Sequence, residues 1–209
     1  MYLVRTEFIV HLGRAAEFEA GVGKLGDARK GMPGYLGQTL LRSYSYLNRY
    51  VGTSRWQTVE AAWDFTKSEV LANYAKNASS EVATVTRQEG YESVFEVDAE
   101  GAEGGATPSA CEVLVDWSLN PGAVSDFESS RKEFFELRKK HSKGFVSSRL
   151  RRSGGIPTRY LALNIYATVE ESRTANIPAE VQKFARAHPY TLYAAAPPVM
   201  EAYHVVHRK

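Results

Sequence analysis

Residues Pro33–Glu60 read PGYLGQTLLRSYSYLNRYVGTSRWQTVE, and 110 positions later Lys143–Glu170 read KGFVSSRLRRSGGIPTRYLALNIYATVE. Aligned without a gap over 34–60, the copies share Gly34/Gly144, Leu40/Leu150, Arg42/Arg152, Ser43/Ser153, Arg49/Arg159, Tyr50/Tyr160, Thr58/Thr168, Val59/Val169 and Glu60/Glu170, nine of twenty-seven positions. Tyr35/Phe145 and Trp56/Tyr166 are close in kind. A repeat of this length predicts two copies of one folding unit that dock on each other.

The first copy supplies two strands, about Tyr35–Ser43 and Arg49–Gln57, joined by a polar turn. Upstream, Tyr2, Val4, Thr6, Phe8 and Val10 alternate with Arg5, Glu7 and His11, the period-two pattern of a half-buried strand. Phe18, Val22 and Leu25 then fall at helical spacing, although Gly21, Gly23 and Gly26 should each weaken that helix by about 1 kcal/mol relative to Ala. The cluster Gly31-Met32-Pro33-Gly34 ends it. Downstream, Thr58 is placed to cap a helix whose stripe Val59, Ala62, Trp63, Val70 and Tyr74 packs on a sheet. Tyr91–Asp98 is a closing strand.

Glu100–Ala110 (EGAEGGATPSA) is small, polar and without periodicity, which predicts a linker. The second half repeats the order: a strand Cys111–Leu119, a helix opened by Asn120-Pro121, strands near Gly144–Ser153 and Arg159–Ala167, a helix capped by Thr168 with Glu171 and broken at Pro178, and a strand Val199–His207. Each half therefore reads β-α-β-β-α-β, a ferredoxin-like unit. The expected architecture is α+β: repeats 1–99 and 111–209 packed sheet to sheet as an intramolecular barrel, a pseudo-dimer within one chain, with further homo-oligomerisation left open.

The 209 residues are 44% apolar and 24% charged, with a formal charge of +2, which gives no ground to expect nucleic acid. Arg149, Arg151 and Arg152 form a short basic strand, read as a solvated face. The single cysteine, Cys111, excludes an intramolecular disulfide and fits a reducing compartment. Neither an apolar run of membrane length nor a secretory leader is evident, so a cytoplasmic protein is expected.

Pro33-Gly34-Tyr35, the strand ending Ser54-Arg55-Trp56, and Thr58-Val59-Glu60-Ala61-Ala62-Trp63 together resemble the antibiotic biosynthesis monooxygenase (ABM) family of dimeric α+β barrels. In the second half Gly144-Phe145 and Thr168-Val169-Glu170 carry the resemblance, with Tyr166 in place of the tryptophan. The resemblance implies a tandem fusion of a unit that elsewhere dimerises. Some members oxidise polycyclic phenols without metal or flavin, the substrate's own phenolate reducing O₂ in a dry aromatic pocket. A related branch binds and degrades haem, using an asparagine on the first strand, a tryptophan early in the second helix and a histidine further along it. Here Trp63 matches, but Ala72-Asn73-Tyr74-Ala75 lacks the histidine and Thr6-Glu7 the asparagine. In the second half His188 is a candidate haem ligand, while Arg173 stands where the tryptophan would be; a histidine at a helix end also interacts favourably with the helix dipole.

Three functional classes follow: a cofactor-independent monooxygenase acting on an aromatic or polyketide-like phenol, a haem-binding or haem-degrading protein, and a non-catalytic small-molecule-binding barrel. The expected partner is a small aromatic molecule, with no cofactor in the first class and haem in the second. The first half, with the fuller motifs, is expected to hold a cleft between its second helix and sheet, walled by Trp56, Trp63 and Tyr74, with Asn73 as a polar contact. Asn73, Tyr74 and Trp56 are the catalytic candidates, and Trp63, Tyr166 and Asn164 the substrate-binding ones. For Trp56, Trp63 and Tyr166 core packing is the favoured reading and a site role the second.

Overall fold

The computed structural model describes residues 1–77, 81–100 and 110–209. In chain order these form β1 (Tyr2–Val10), α1 (Ala15–Arg29), β2 (Tyr35–Ser43), β3 (Arg49–Trp56), α2 (Val59–Thr66), α3 (Glu69–Asn77), β4 (Ala83–Asp98), β5 (Cys111–Ser118), α4 (Val124–His141), β6 (Phe145–Ser153), β7 (Arg159–Tyr166), α5 (Val169–Thr174), α6 (Ala179–Ala187) and β8 (Val199–Arg208). Each half is β-α-β-β-α-β with its second helix in two pieces. The fold is mixed α+β, and its eight strands are hydrogen-bonded in the closed antiparallel order β1-β3-β2-β8-β5-β7-β6-β4. By compactness the chain divides into Met1–Glu92 with Val205–Lys209, and Ser93–His204. The interior of the expected linker, 101–109, lies outside the described residues. Among the described residues no helix is long and apolar enough to cross a membrane.

In the first unit β1 pairs with β3 from Tyr2↔Trp56 to Ile9↔Arg49 and with β4 on its other side. One face of these strands meets the helices: Phe8 and Tyr50 stand edge-on to Phe18 of α1, at 5.0 and 5.1 Å, and Trp56 meets Phe65 of α2 at 5.4 Å. The opposite face is covered too. Leu3, Leu41 and Val51 are buried there, and Arg5, expected at a solvated face, is only 3% exposed. Charge on this face is compensated within the sheet: Arg5 meets Glu7 at 3.0 Å, Glu7 meets Arg87 at 3.4 Å, and Arg87 and the Tyr91 hydroxyl both donate to Glu89. The second unit departs from expectation in the same way. Arg151 is 1% exposed and shares Glu96 with Arg149, which approaches it at 3.5 Å, while Tyr203 donates to Glu201 at 2.9 Å.

The residues common to the two repeats hold backbone and helix in place. Tyr50 donates to Glu19 and Tyr160 to Glu128, each at 2.6 Å, tying the third strand of each repeat to its first helix. Burial, reinforced by the neighbouring carboxylate, keeps both phenols protonated well above their usual range. Ser43 and Ser153 accept backbone N–H groups in the turn that follows. Gly34 and Gly144 sit at φ +75° and +67°, where a side chain is strained, and their carbonyls accept from Gln57 and Ala167 at 2.8 Å. Thr58 and Thr168 cap the helices that follow, accepting from Ala61 and Glu171 at 3.2 Å.

Three elements differ from the sequence reading. The single helix expected through Val59–Tyr74 is two, because the Ser68 hydroxyl donates to the Phe65 carbonyl and accepts from the Leu71 N–H, closing α2 and opening α3. β4 has 16 residues, beginning well before Tyr91. α4 starts at Val124 because Asn120-Pro121 enters a turn in which Ala123 donates to the Asn120 carbonyl.

Tyr50→Phe and Tyr160→Phe should each lower unfolding free energy by about 1.5 kcal/mol, the lower end for a bond to a charged acceptor; unchanged urea midpoints would show that these bonds do not hold the first helices. Trp56, only 1% exposed, should cost about 3–5 kcal/mol on truncation to Ala. A Trp56→Ala melt close to the parent would contradict its place in the core.

Candidate functional site

The two units pack their helix-facing cores differently. In the second, one continuous cluster runs from Trp117 and Phe127 through Phe134 and Phe135 to Tyr166, Val181 and Phe184. In the first, a cluster around Val10, Phe18, Leu40 and Tyr50 is separate from one around Leu25, Trp56, Ala62 and Phe65. Between them lies a cavity of about 790 Å³, bounded by α1, α3, β1 and the start of β4. Its size follows from small side chains. At the repeat spacing that matches Phe18 with Phe127, Gly21, Leu25 and Ala28 of α1 correspond to Ser130, Phe134 and Leu137 of α4. Phe134 stacks on Phe184 at 5.7 Å and Phe127 meets Tyr193 at 6.0 Å, closing the second unit where the first is open.

Most of the cavity wall is apolar: Phe8, Phe18, Leu25, Val70, Leu71 and Val82 among others. Tyr74 of α3 leans over α1, so that a Cβ on Gly21 would stand 3.9 Å from both its ring and its hydroxyl. Among the described residues that hydroxyl has no hydrogen-bond partner. Burial raises its pKa, opposed by the charge of Arg29, so it is a neutral donor at ordinary pH. Arg29 itself lies over the Phe65 ring at 4.2 Å and donates to Gln38 at 2.9 Å; burial lowers it to about 10, leaving it cationic at neutral pH. Gln38 in turn donates to the Val22 carbonyl at 2.9 Å, across Gly26, whose missing Cβ gives it room. Lys209 completes the support of α1: its backbone pairs with Gln38, and its ammonium donates to the Gly23 carbonyl at 2.9 Å and pairs with Asp27.

Of the residues proposed from sequence, Asn73 and Tyr74 line this cavity. Trp56 does not; its indole donates to Ser54 at 3.0 Å inside the core. Trp63, expected on the buried stripe, is 61% exposed, and Ala62 and Phe65 are the buried residues of α2. The cleft walled by both tryptophans is thus replaced by one walled by α1 and α3. In the second unit Asn164 is 2% exposed and accepts from Arg138 at 3.0 Å and from Ser148 at 2.8 Å. Tyr166 is buried edge-on to Phe145. His188 stacks on Phe184 at 4.1 Å, with its Nδ1 3.2 Å from the Phe184 carbonyl. The sequence reading missed Gly21, Lys24 and Ala28, treating the glycine as a helix weakness and not as space.

Residues 1–77 match the family model for antibiotic biosynthesis monooxygenase. No curated protein matches the chain. Among solved structures, a candidate monooxygenase from Fusobacterium nucleatum is 11% identical, with 100% of this chain and 93% of that one covered and a TM-score of 0.80. An anthrone oxidase-like protein is 13% identical over 100% and 92%, with a TM-score of 0.76. A candidate chlorite dismutase is 12% identical over 99% and 94%, with a TM-score of 0.65. At such identities the likeness is one of fold. The likeness of fold extends over both repeats, while the match to the antibiotic biosynthesis monooxygenase (ABM) family model covers residues 1–77, the greater part of the first.

Proposed function

We propose that the first repeat is a cofactor-independent monooxygenase that binds an aromatic phenol in the α1–α3 cavity and oxidises it with O₂. The observation that carries this reading is an open, largely apolar cavity containing an unpartnered phenol donor, located in the repeat that matches the ABM family. The Tyr74 hydroxyl would donate to the ionised oxygen of the substrate, stabilising the phenolate that passes electrons to O₂. Arg29, behind the wall, adds positive potential. Asn73, which also lines the cavity, contributes a polar contact, and the apolar wall excludes water. For an anthrone-type substrate the ring CH₂ loses two hydrogens and gains one oxygen atom of O₂; the other oxygen leaves with those hydrogens as water.

Haem binding is the second reading, supported by the fold likeness to the candidate chlorite dismutase. The residues do not fit it. Among the described residues no histidine, cysteine or methionine lines the cavity, and the Tyr74 phenol, raised by burial, is a poor axial donor. His188 lies in the filled second unit, against Phe184.

Oxygen-electrode traces with an anthrone or naphthol, without added metal, flavin or nicotinamide, should show uptake that rises with pH as the substrate ionises. Because the Tyr74 pKa is raised above 10.0, the protonated donor is present below that value and is lost only at higher pH, so no fall in rate is expected before pH 10. Tyr74→Phe should lower kcat/KM by about 100-fold, the effect of losing one oxyanion donor, with little change in melting temperature. Asn73→Ala should likewise lower turnover more than stability. Uptake indistinguishable from buffer across a panel of phenols would sink the oxygenase reading; saturable phenol binding without uptake would instead assign a binding barrel.

A further inference from the structure

We infer that the cavity selects a hydroxylated aromatic acid: an apolar ring body with its hydroxyl at Tyr74 and a carboxylate at Lys24. This rests on the ligand site proposed above and adds the chemistry of the ligand's second end. The acidic charge on α1 is matched. Glu17, at the cavity edge, is held by Arg14 at 2.7 Å, Glu19 accepts from Tyr50, and Asp27 pairs with Lys30 at 3.0 Å and with Lys209. Lys24 lines the cavity, is exposed at its rim, and among the described residues has no ion-pair or hydrogen-bond partner. Arg29, five residues further along α1 and behind the wall, has a polar partner in Gln38 and no carboxylate among the described residues, so it adds positive potential to that of Lys24. Lys24 stands three residues from Gly21, over which the Tyr74 hydroxyl lies, and such helix neighbours are about 5–6 Å apart at Cβ. Lys24 is exposed where Tyr74 is half-buried, so a donor inside and a cation at the mouth frame one ring system lengthwise.

The test compares 2-naphthol with 6-hydroxy-2-naphthoate, which differ by the carboxylate alone, in fluorescence titrations of the full chain. The readout is the ratio of the two affinities, which cancels any general effect of a substitution on folding. The parent protein should prefer the acid by about fivefold at low salt, the upper range for an exposed ion pair, and the preference should shrink towards unity as salt screens it. Lys24→Met should remove the preference and Lys24→Glu should reverse it. Equal binding of both probes by the parent, or a preference that survives in Lys24→Met, overturns the inference while leaving the cavity reading intact. Failure of both probes to bind overturns the two together.

Discussion

A hydrogen bond from a tyrosine in the third strand to a carboxylate in the first helix sets the geometry of each repeat. Tyr50–Glu19 and Tyr160–Glu128 have the same length and lie beneath the same aromatic edge contacts with Phe18 and Phe127. A charged acceptor makes the bond strong, and burial of the phenol makes its loss costly. It fixes the height of α1 and α4 over their strands. Everything between helix and sheet, filled or empty, depends on that height.

Under the same constraint the repeats diverge by side-chain volume. α4 carries Phe134, Phe135 and Leu137 on its inner side, which close the space against Phe184 of α6. α1 carries Ala20, Gly21 and Ala28, and the space stays open. Dense interiors are the norm, since unfilled volume forfeits dispersion contacts. A large apolar cavity in one copy, beside a filled copy of the same frame, is therefore evidence of use. α1 is rich in glycine and weak in helix propensity. It is held from outside by Gln38, which bonds Arg29 and the Val22 carbonyl, and by Lys209, so its position does not depend on side chains that would occlude the cavity.

Much of the frame was legible in the sequence. The repeat, the strand pairs around Ser43 and Ser153 and the caps at Thr58 and Thr168 depend on local chemistry that one stretch of chain displays. Burial was less legible. Arg5 and Arg151 alternate with apolar residues as a wetted face would, yet they are covered and paired with Glu7 and Glu96 on neighbouring positions and strands. Trp63 was placed inside by a helical stripe that Ser68 interrupts. Asn73 and Tyr74, which line the cavity, stand among the sequence candidates because they lie on the second helix of an ABM-like half. The cavity they face was not, because an empty volume is the sum of small residues on one helix and their distance from another, and no spacing rule reports it.

A glycine-to-leucine change on the cavity wall tests this most directly. At Gly21 a Cβ would meet Tyr74 at an ordinary 3.9 Å, and the helix gains propensity from the exchange, so Gly21→Leu should fold at least as well as the parent while its side chain occupies the cavity. Titration with 2-naphthol should show saturable binding to the parent and a loss of about tenfold or more in Gly21→Leu, with a melting temperature equal or higher, since even the 1.4 kcal/mol equivalent of a methylene or two of overlap is that large. Binding by the variant as tight as by the parent would contradict the account, because the ligand would then lie somewhere other than between α1 and α3.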